Sequence, residues 1–239
     1  MLNRLSQLLK GSHYPASYPK TVGRYALMAA AVVGVGLWMY QRSLNLAQRQ
    51  NNRDLLKLPY HAFDQSMGKG WRSLSEQGKY QEAADLIVQY LNQYQNQNIH
   101  DPLNDKINEL FTLYLHAAQC FGFAGDYEKA LHYFELSKFP SEMVNSTPPE
   151  FQFVLIAMNA YKDGNLAFLK NDGNALSSAI EVLRQYQDYK MMLDAGQEIY
   201  PFKNNLKILL TLQNGLKVGL NYHEAYGSEG KPKKPRLDS

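Results

Sequence analysis

The sequence predicts an all-α chain in which one N-terminal transmembrane helix is followed by a stack of antiparallel helical hairpins. Three observations carry this expectation. An uncharged apolar run lies between Arg24 and Arg42, a glycine–tyrosine–alanine pattern occurs twice, and apolar residues follow a 3.6-residue period while β-branched runs stay short. The predicted organisation is a basic, acid-free leader (1–24), a membrane helix (25–41), a polar helical stalk (42–58), a helical domain (59–222) and a disordered basic tail (223–239).

The apolar run is "YALMAAAVVGVGLWMY", Tyr25 to Tyr40. Seventeen residues separate Arg24 from Arg42, and as a helix they measure about 26 Å against a hydrocarbon core of about 30 Å. The two arginines can snorkel, and Tyr25, Trp38 and Tyr40 stand where interfacial aromatics belong. A water-soluble core helix would carry a polar stripe, and this one has none. A cleaved signal peptide needs small residues just after the run, whereas Gln41-Arg42-Ser43-Leu44 follows. Ala26, Ala30 and Gly34 recur every four residues and form a small-residue stripe on which another membrane helix can pack.

Charge is divided unevenly. The 239 residues carry a net +3, but residues 1–53 hold seven basic residues and no acid, whereas residues 54–230 hold 14 basic against 21 acidic ones, a net of −7. The main body is therefore mildly acidic, and no nucleic-acid partner is expected for it. "KPKKPR" near the C-terminus is a short basic run that reads first as solvated. The leader places Leu2, Leu5 and Leu9 on one helical face with Arg4 and Lys10 elsewhere, a composition similar to mitochondrial targeting sequences. This favours the mitochondrial inner membrane, with a bacterial inner membrane as the alternative. A single cysteine, Cys120, excludes an intramolecular disulfide framework and any multi-cysteine metal site.

"GKYQEAADLIVQYL" (78–91) and "GDYEKALHYFELSK" (125–138) align without a gap. Gly78 and Gly125 allow a tight turn, Tyr80 and Tyr127 fill the space beside it, and Ala83 and Ala130 let two helices approach closely. This G-x-Y-x-x-A arrangement resembles the tetratricopeptide repeat. Phe134 stands where that family places an aromatic in the second helix, with Ile87 in the first block, and Ala118 fits the small residue of the first helix, with Trp71 as its counterpart. The two blocks are 47 residues apart, whereas the family repeat is about 34. The resemblance implies stacked helical hairpins that bind protein partners.

A third unit reads from "STPPEFQFVLIAMNAYKDG", with Thr147 as N-cap and Pro148 at the first helical position. In it Gly173 and Ala179 take the glycine and alanine places. A last helix from Pro201 closes the stack. The predicted helices run near 60–76, 79–97, 102–122, 126–138, 148–170, 173–194 and 201–220.

Candidate chemistry is sparse. His116 and Cys120, four residues apart, share a helix face, the geometry of a two-ligand metal clip or an imidazole-activated thiol. No motif supplies further ligands or an orienting group, so Cys120 reads as a packed residue and neither a metal nor a cofactor is expected. Tyr90, Tyr94 and Tyr186, on helices rich in Gln and Asn, are candidates for an exposed partner-binding face. The function expected is non-catalytic: a membrane-anchored scaffold or adaptor, lipid-bound through 25–41, that serves as an accessory or assembly subunit of an inner-membrane, respiratory-type complex. A bacterial inner-membrane or secretion-associated adaptor is the alternative, and an enzyme with a site near His116 and Cys120 is a third class.

Overall fold

A computed structural model of the chain describes residues 53–65, 70–95, 105–192 and 198–227. The leader, the run 25–41 with Ala26, Ala30 and Gly34, the stalk as far as residue 52 and the tail from residue 228 lie outside the described residues. The chain divides into two units at Arg53/Asp54, and the described residues from Asp54 onward belong to the second. Its described residues are all-α apart from one two-residue strand pair. No helix among the described residues is long and apolar enough to cross a membrane.

A π-helical turn at His61–Gln65 precedes α1 (Arg72–Ser75) and α2 (Tyr80–Gln95). Then come α3 (Asp105–Ala124), α4 (Tyr127–Leu136), α5 (Ser141–Ser146), α6 (Pro149–Leu169) and α7 (Gly173–Arg184). The strands β1 (Met191–Met192) and β2 (Glu198–Ile199) pair antiparallel, and α8 (Pro201–Lys217) and α9 (Tyr222–Gly227) complete the unit. Helices adjacent in sequence pack on one another: α2 on α3, α3 on α4, α6 on α7, α7 on α8 and α8 on α9.

Four turns have the same hydrogen-bonded form. Gly78, Gly125, Asn171 and Gly219 adopt φ of +73°, +83°, +57° and +69°, steps of 47, 46 and 48 residues along the chain. At each one the next residue donates its N–H five residues back, Lys79 to Leu74, Asp126 to Phe121, Asp172 to Ala167 and Leu220 to Gly215. The turn residue itself donates three residues back, to Ser75, Gly122, Phe168 and Leu216. This is the Schellman arrangement, which satisfies the last carbonyls of one helix and reverses the chain into the next. Asp126 then caps α4 by accepting from Lys129 N, and Asp172 caps α7 by accepting from Asn174 N and Ala175 N.

Five residues beyond the first three turns, Ala83, Ala130 and Leu176 are fully buried, and nine beyond them Ile87, Phe134 and Ile180 are buried as well. The third unit is thus in register with Asn171 rather than with Gly173, which is the first residue of α7, so Gly173 and Ala179 do not occupy the glycine and alanine places. Asparagine tolerates the left-handed conformation better than other side chains do, and the substitution hides the turn. Gly164, seven residues before Asn171, takes the small-residue place of Ala118. Leu209 crosses there so closely that a Cβ on Gly164 would meet its Cδ1 at 2.4 Å.

Among the described residues two apolar clusters fill the unit. One joins the π-turn, α1, α2, α3 and, through Ala130, α4; the other joins α3, α4, α6, α7, α8 and α9, and Tyr133 and Leu169 touch both. Leu55, Leu56 and Leu58 pack against the first cluster, so residues 54–58, expected to be part of a stalk, belong to the folded unit. The helix expected over 173–194 ends at Arg184, because Tyr189 turns back onto Phe153 and Phe202, with ring centroids at 4.7 and 5.6 Å. Thr147 caps no helix start; its hydroxyl donates to Met143 O at the end of α5, and Pro149 rather than Pro148 opens α6. The domain boundary expected at residue 222 is also passed, since α9 is buried through Tyr222 and Ala225.

Candidate functional site

A buried carboxylate lies between the π-turn, α1 and α3. The Asp64 carboxylate is 1% exposed and accepts three hydrogen bonds, from Trp71 Nε1 at 2.8 Å, Tyr60 Oη at 3.1 Å and His116 Nδ1 at 2.7 Å. Arg72 donates through Nε to the Asp64 backbone oxygen and lays its guanidinium 4.5 Å from the Trp71 ring centre. Burial alone would raise the Asp64 pKa, but the hydrogen bonds and nearby positive charge of His116, with Trp71 and Arg72, outweigh it and hold the carboxyl below its ordinary value. The indole N–H, phenol O–H and imidazole N–H each find an acceptor in an otherwise apolar layer.

An Asp–His pair of this kind orients an imidazole, yet the group one helical turn along cannot use it. Cys120 is 2% exposed, and burial pushes its thiol up to about 12, against a smaller downward pull from Arg72. A thiol so placed stays protonated at neutral pH and is a poor nucleophile. Among the described residues no three His, Cys, Asp or Glu side chains come close enough to share a metal ion.

A second feature is an open groove of about 470 Å³ between α5, α6 and α7. Phe139, Val144, Ile156, Ala160 and Val182 give it an apolar lining. The salt bridge of Lys138 to Asp163 at 2.7 Å stands at its rim. Asn159 fixes one wall by accepting from Phe139 N and donating to Phe139 O, both at 2.9 Å. Close by, the Lys162 amine is 1% exposed, donates to the Ser137 carbonyl at the end of α4 and sits 3.8 Å from the Phe139 ring centre. Burial lowers its pKa to about 7.

The residues singled out in the sequence fall into distinct places. Gly78 and Gly125 lie at left-handed turns, and Ala83, Ala130 and Phe134 are fully buried. Tyr80 and Tyr127 do more than fill space. Tyr80 Oη lies 3.2 Å from His223 Nε2, and Tyr127 Oη accepts from Tyr222 N at 3.3 Å, so both reach α9. Tyr90 does not belong to an exposed face: it is 6% exposed, stacks on Phe63 at 3.8 Å and donates to the Leu58 carbonyl. Its phenol suits a buried site because the hydroxyl finds a main-chain acceptor. Tyr186 is half-buried against Phe153 and Phe202. The Tyr94 side chain lies outside the described residues.

Asp64 and Lys162 escaped the sequence reading. The 52-residue separation of Asp64 from His116 leaves no local signature. A lysine within the long apolar run of α6 was the one available hint of the second.

No protein-family model, curated protein or solved structure matches the chain.

Proposed function

We propose that the chain is a non-catalytic, membrane-anchored adaptor whose helical domain, similar to a tetratricopeptide stack with a lengthened repeat, binds protein partners. The observation that carries this reading is the set of four identical Schellman turns at steps of 47, 46 and 48 residues. Repeated helix–turn–helix units that each pack only part of their surface on neighbours leave long faces for a partner segment, the common use of such architectures. The groove between α5, α6 and α7, apolar within and charged at its rim, is a surface of that kind. The anchor is residues 25–41, and an accessory or assembly role in an inner-membrane complex of respiratory type is the concrete form of the proposal.

Extraction of native membranes followed by purification in mild detergent tests it. The protein should resist alkaline carbonate and should co-purify with defined membrane-complex subunits. Release into carbonate would remove the anchor, and purification as a lone polypeptide under conditions that preserve neighbouring complexes would remove the adaptor role.

A further inference from the structure

The outward face of α8 carries one sign of charge. Its exposed residues are Lys203, Asn204, Lys207, Asn214 and Lys217. With 3.6 residues per turn, the three lysines and Asn214 fall on one stripe about 21 Å long. The opposite face buries Phe202, Leu206, Leu209 and Leu212 in the core. No acidic residue stands between Glu198 and Glu224. Among the described residues none of the ion pairs uses Lys203, Lys207 or Lys217, although Lys129, Lys138, Lys170 and Lys190 are all paired. This face is positive on a body whose residues 54–230 sum to −7.

A solvated end to a helical stack requires polar side chains, but not side chains of a single charge, which repel one another. The choice of lysine also matters. Recognition of individual carboxylates or phosphates favours the planar fork of arginine, whereas ammonium groups on flexible stems suit a diffuse anionic surface. The ends of the stripe carry exposed apolar groups, Tyr200 at 37% and Val218 at 61% exposure, which fits a helix lying in the plane of a bilayer interface. Further along the chain Lys231, Lys233, Lys234 and Arg236 add charge of the same sign.

We propose that the lysine face of α8 rests on anionic lipid headgroups, so that the helical domain lies against the bilayer in a fixed orientation. The proposal rests on the anchor reading above, because three lysines alone bind a membrane weakly. Each adds about fivefold in partitioning, the factor for ~1 kcal/mol at an anionic surface, and tethering makes so weak a contact effective.

The test uses the full-length chain in nanodiscs containing either phosphatidylglycerol or only phosphatidylcholine. Amine acylation is followed by mass spectrometry at Lys203, Lys207 and Lys217, with Lys170 and Lys190 as internal references. Acylation of the three should slow about fivefold in the anionic discs alone and recover in high salt. Equal rates in both discs overturn the proposal, and so does slowing that appears only when cell extract is added, which would assign the face to an acidic protein. If the chain enters neither disc, the anchor reading has failed separately. Co-sedimentation with anionic vesicles then decides: binding lost in the Lys203→Gln/Lys207→Gln/Lys217→Gln variant supports the lysine face, and no binding by the parent chain overturns it.

Discussion

The Tyr222 hydroxyl donates a 2.5 Å hydrogen bond to Asn165 Oδ1, and both side chains are fully buried. The contact joins α9 to the C-terminal part of α6 across 57 residues of chain. The Tyr222 ring lies against Gly122, where an added Cβ would come within 2.7 Å of it, and among Phe123, Phe134 and Phe168. One turn on, the Tyr226 and Tyr161 hydroxyls are 2.8 Å apart, and Gln119 donates to both. A six-residue helix of low intrinsic stability is thus held by tertiary contacts, and it ties together α3, α4, α6 and α8.

Tyr222 should therefore be among the most sensitive positions in the domain. Tyr222→Phe leaves the Asn165 oxygen without its donor and should cost about 1–3 kcal/mol. Tyr222→Ala removes a whole buried ring and should cost about 3–5 kcal/mol. Urea unfolding of the full chain, followed by far-UV circular dichroism, measures both. Near-identical midpoints for parent and Tyr222→Ala would show that α9 does not hold the domain together.

The four turns make a second prediction, about backbone conformation rather than contacts. A Cβ at Gly125 meets nothing within 4 Å, so the cost of Gly125→Ala is the left-handed φ alone, about 1 kcal/mol. Asn171→Gly should be neutral or stabilising by a few tenths, and Asn171→Val destabilising by about 1–2 kcal/mol. Gly164→Ala differs in kind: its φ is ordinary, but its Cβ overlaps Leu209, and overpacking should cost about 1–3 kcal/mol. Ranking the four variants by urea midpoint separates backbone strain from steric overlap.

Cys120 supplies a kinetic prediction. Its thiol, buried and held up at about 12, should react with a disulfide reagent only when the domain opens. Labelling in native buffer should thus be slow and should accelerate through the urea transition, and His116→Ala should change it only as far as it changes stability. Fast native labelling that His116→Ala abolishes would instead identify an activated thiol and revive the enzymatic reading.

How much of this was legible in the sequence depends on the range of the interaction. Gly78 and Gly125 could be read because the left-handed turn is a local demand that one residue type meets best, and Ala83, Ala130 and Phe134 followed from their distance to the turn. The third turn was misplaced by two residues because Asn171 takes the glycine position. The fourth, at Gly219, escaped because α9 is too short to show a period. Tyr90 looked exposed among glutamines, yet what buries it is Phe63 and Leu58, some thirty residues upstream. The Asp64–His116 pair joins separate segments, and nothing in either alone announces it. The all-α character needed only periodicity.

Lys162 should set the pH dependence of stability. The folded-state pKa of about 7 stands against 10.5 for an ordinary lysine, with burial as the largest cause; Asp163 opposes the shift and Lys138 adds to it. Between these two values the unfolded chain holds a proton that the folded chain has released, so stability rises with pH across the window from about 7 to about 10.5 and is level below it. The limiting slope for one proton is about 1.4 kcal/mol per pH unit. From the alkaline side, burial raises the Tyr161 and Tyr222 hydroxyls well above 10.0; beyond that pH the folded chain keeps protons the unfolded chain loses, and stability falls again. The parent protein should therefore be most stable near about pH 10, where the rise from Lys162 and the fall from the tyrosines balance. Lys162→Met keeps the buried stem and removes the ammonium, so its urea midpoints should lose the rise while retaining the alkaline fall. A rise that survives in Lys162→Met would place the responsible proton elsewhere. A parent profile that stays level from neutral pH upward would mean that the Ser137 carbonyl and the Phe139 ring keep the buried amine charged in the folded state.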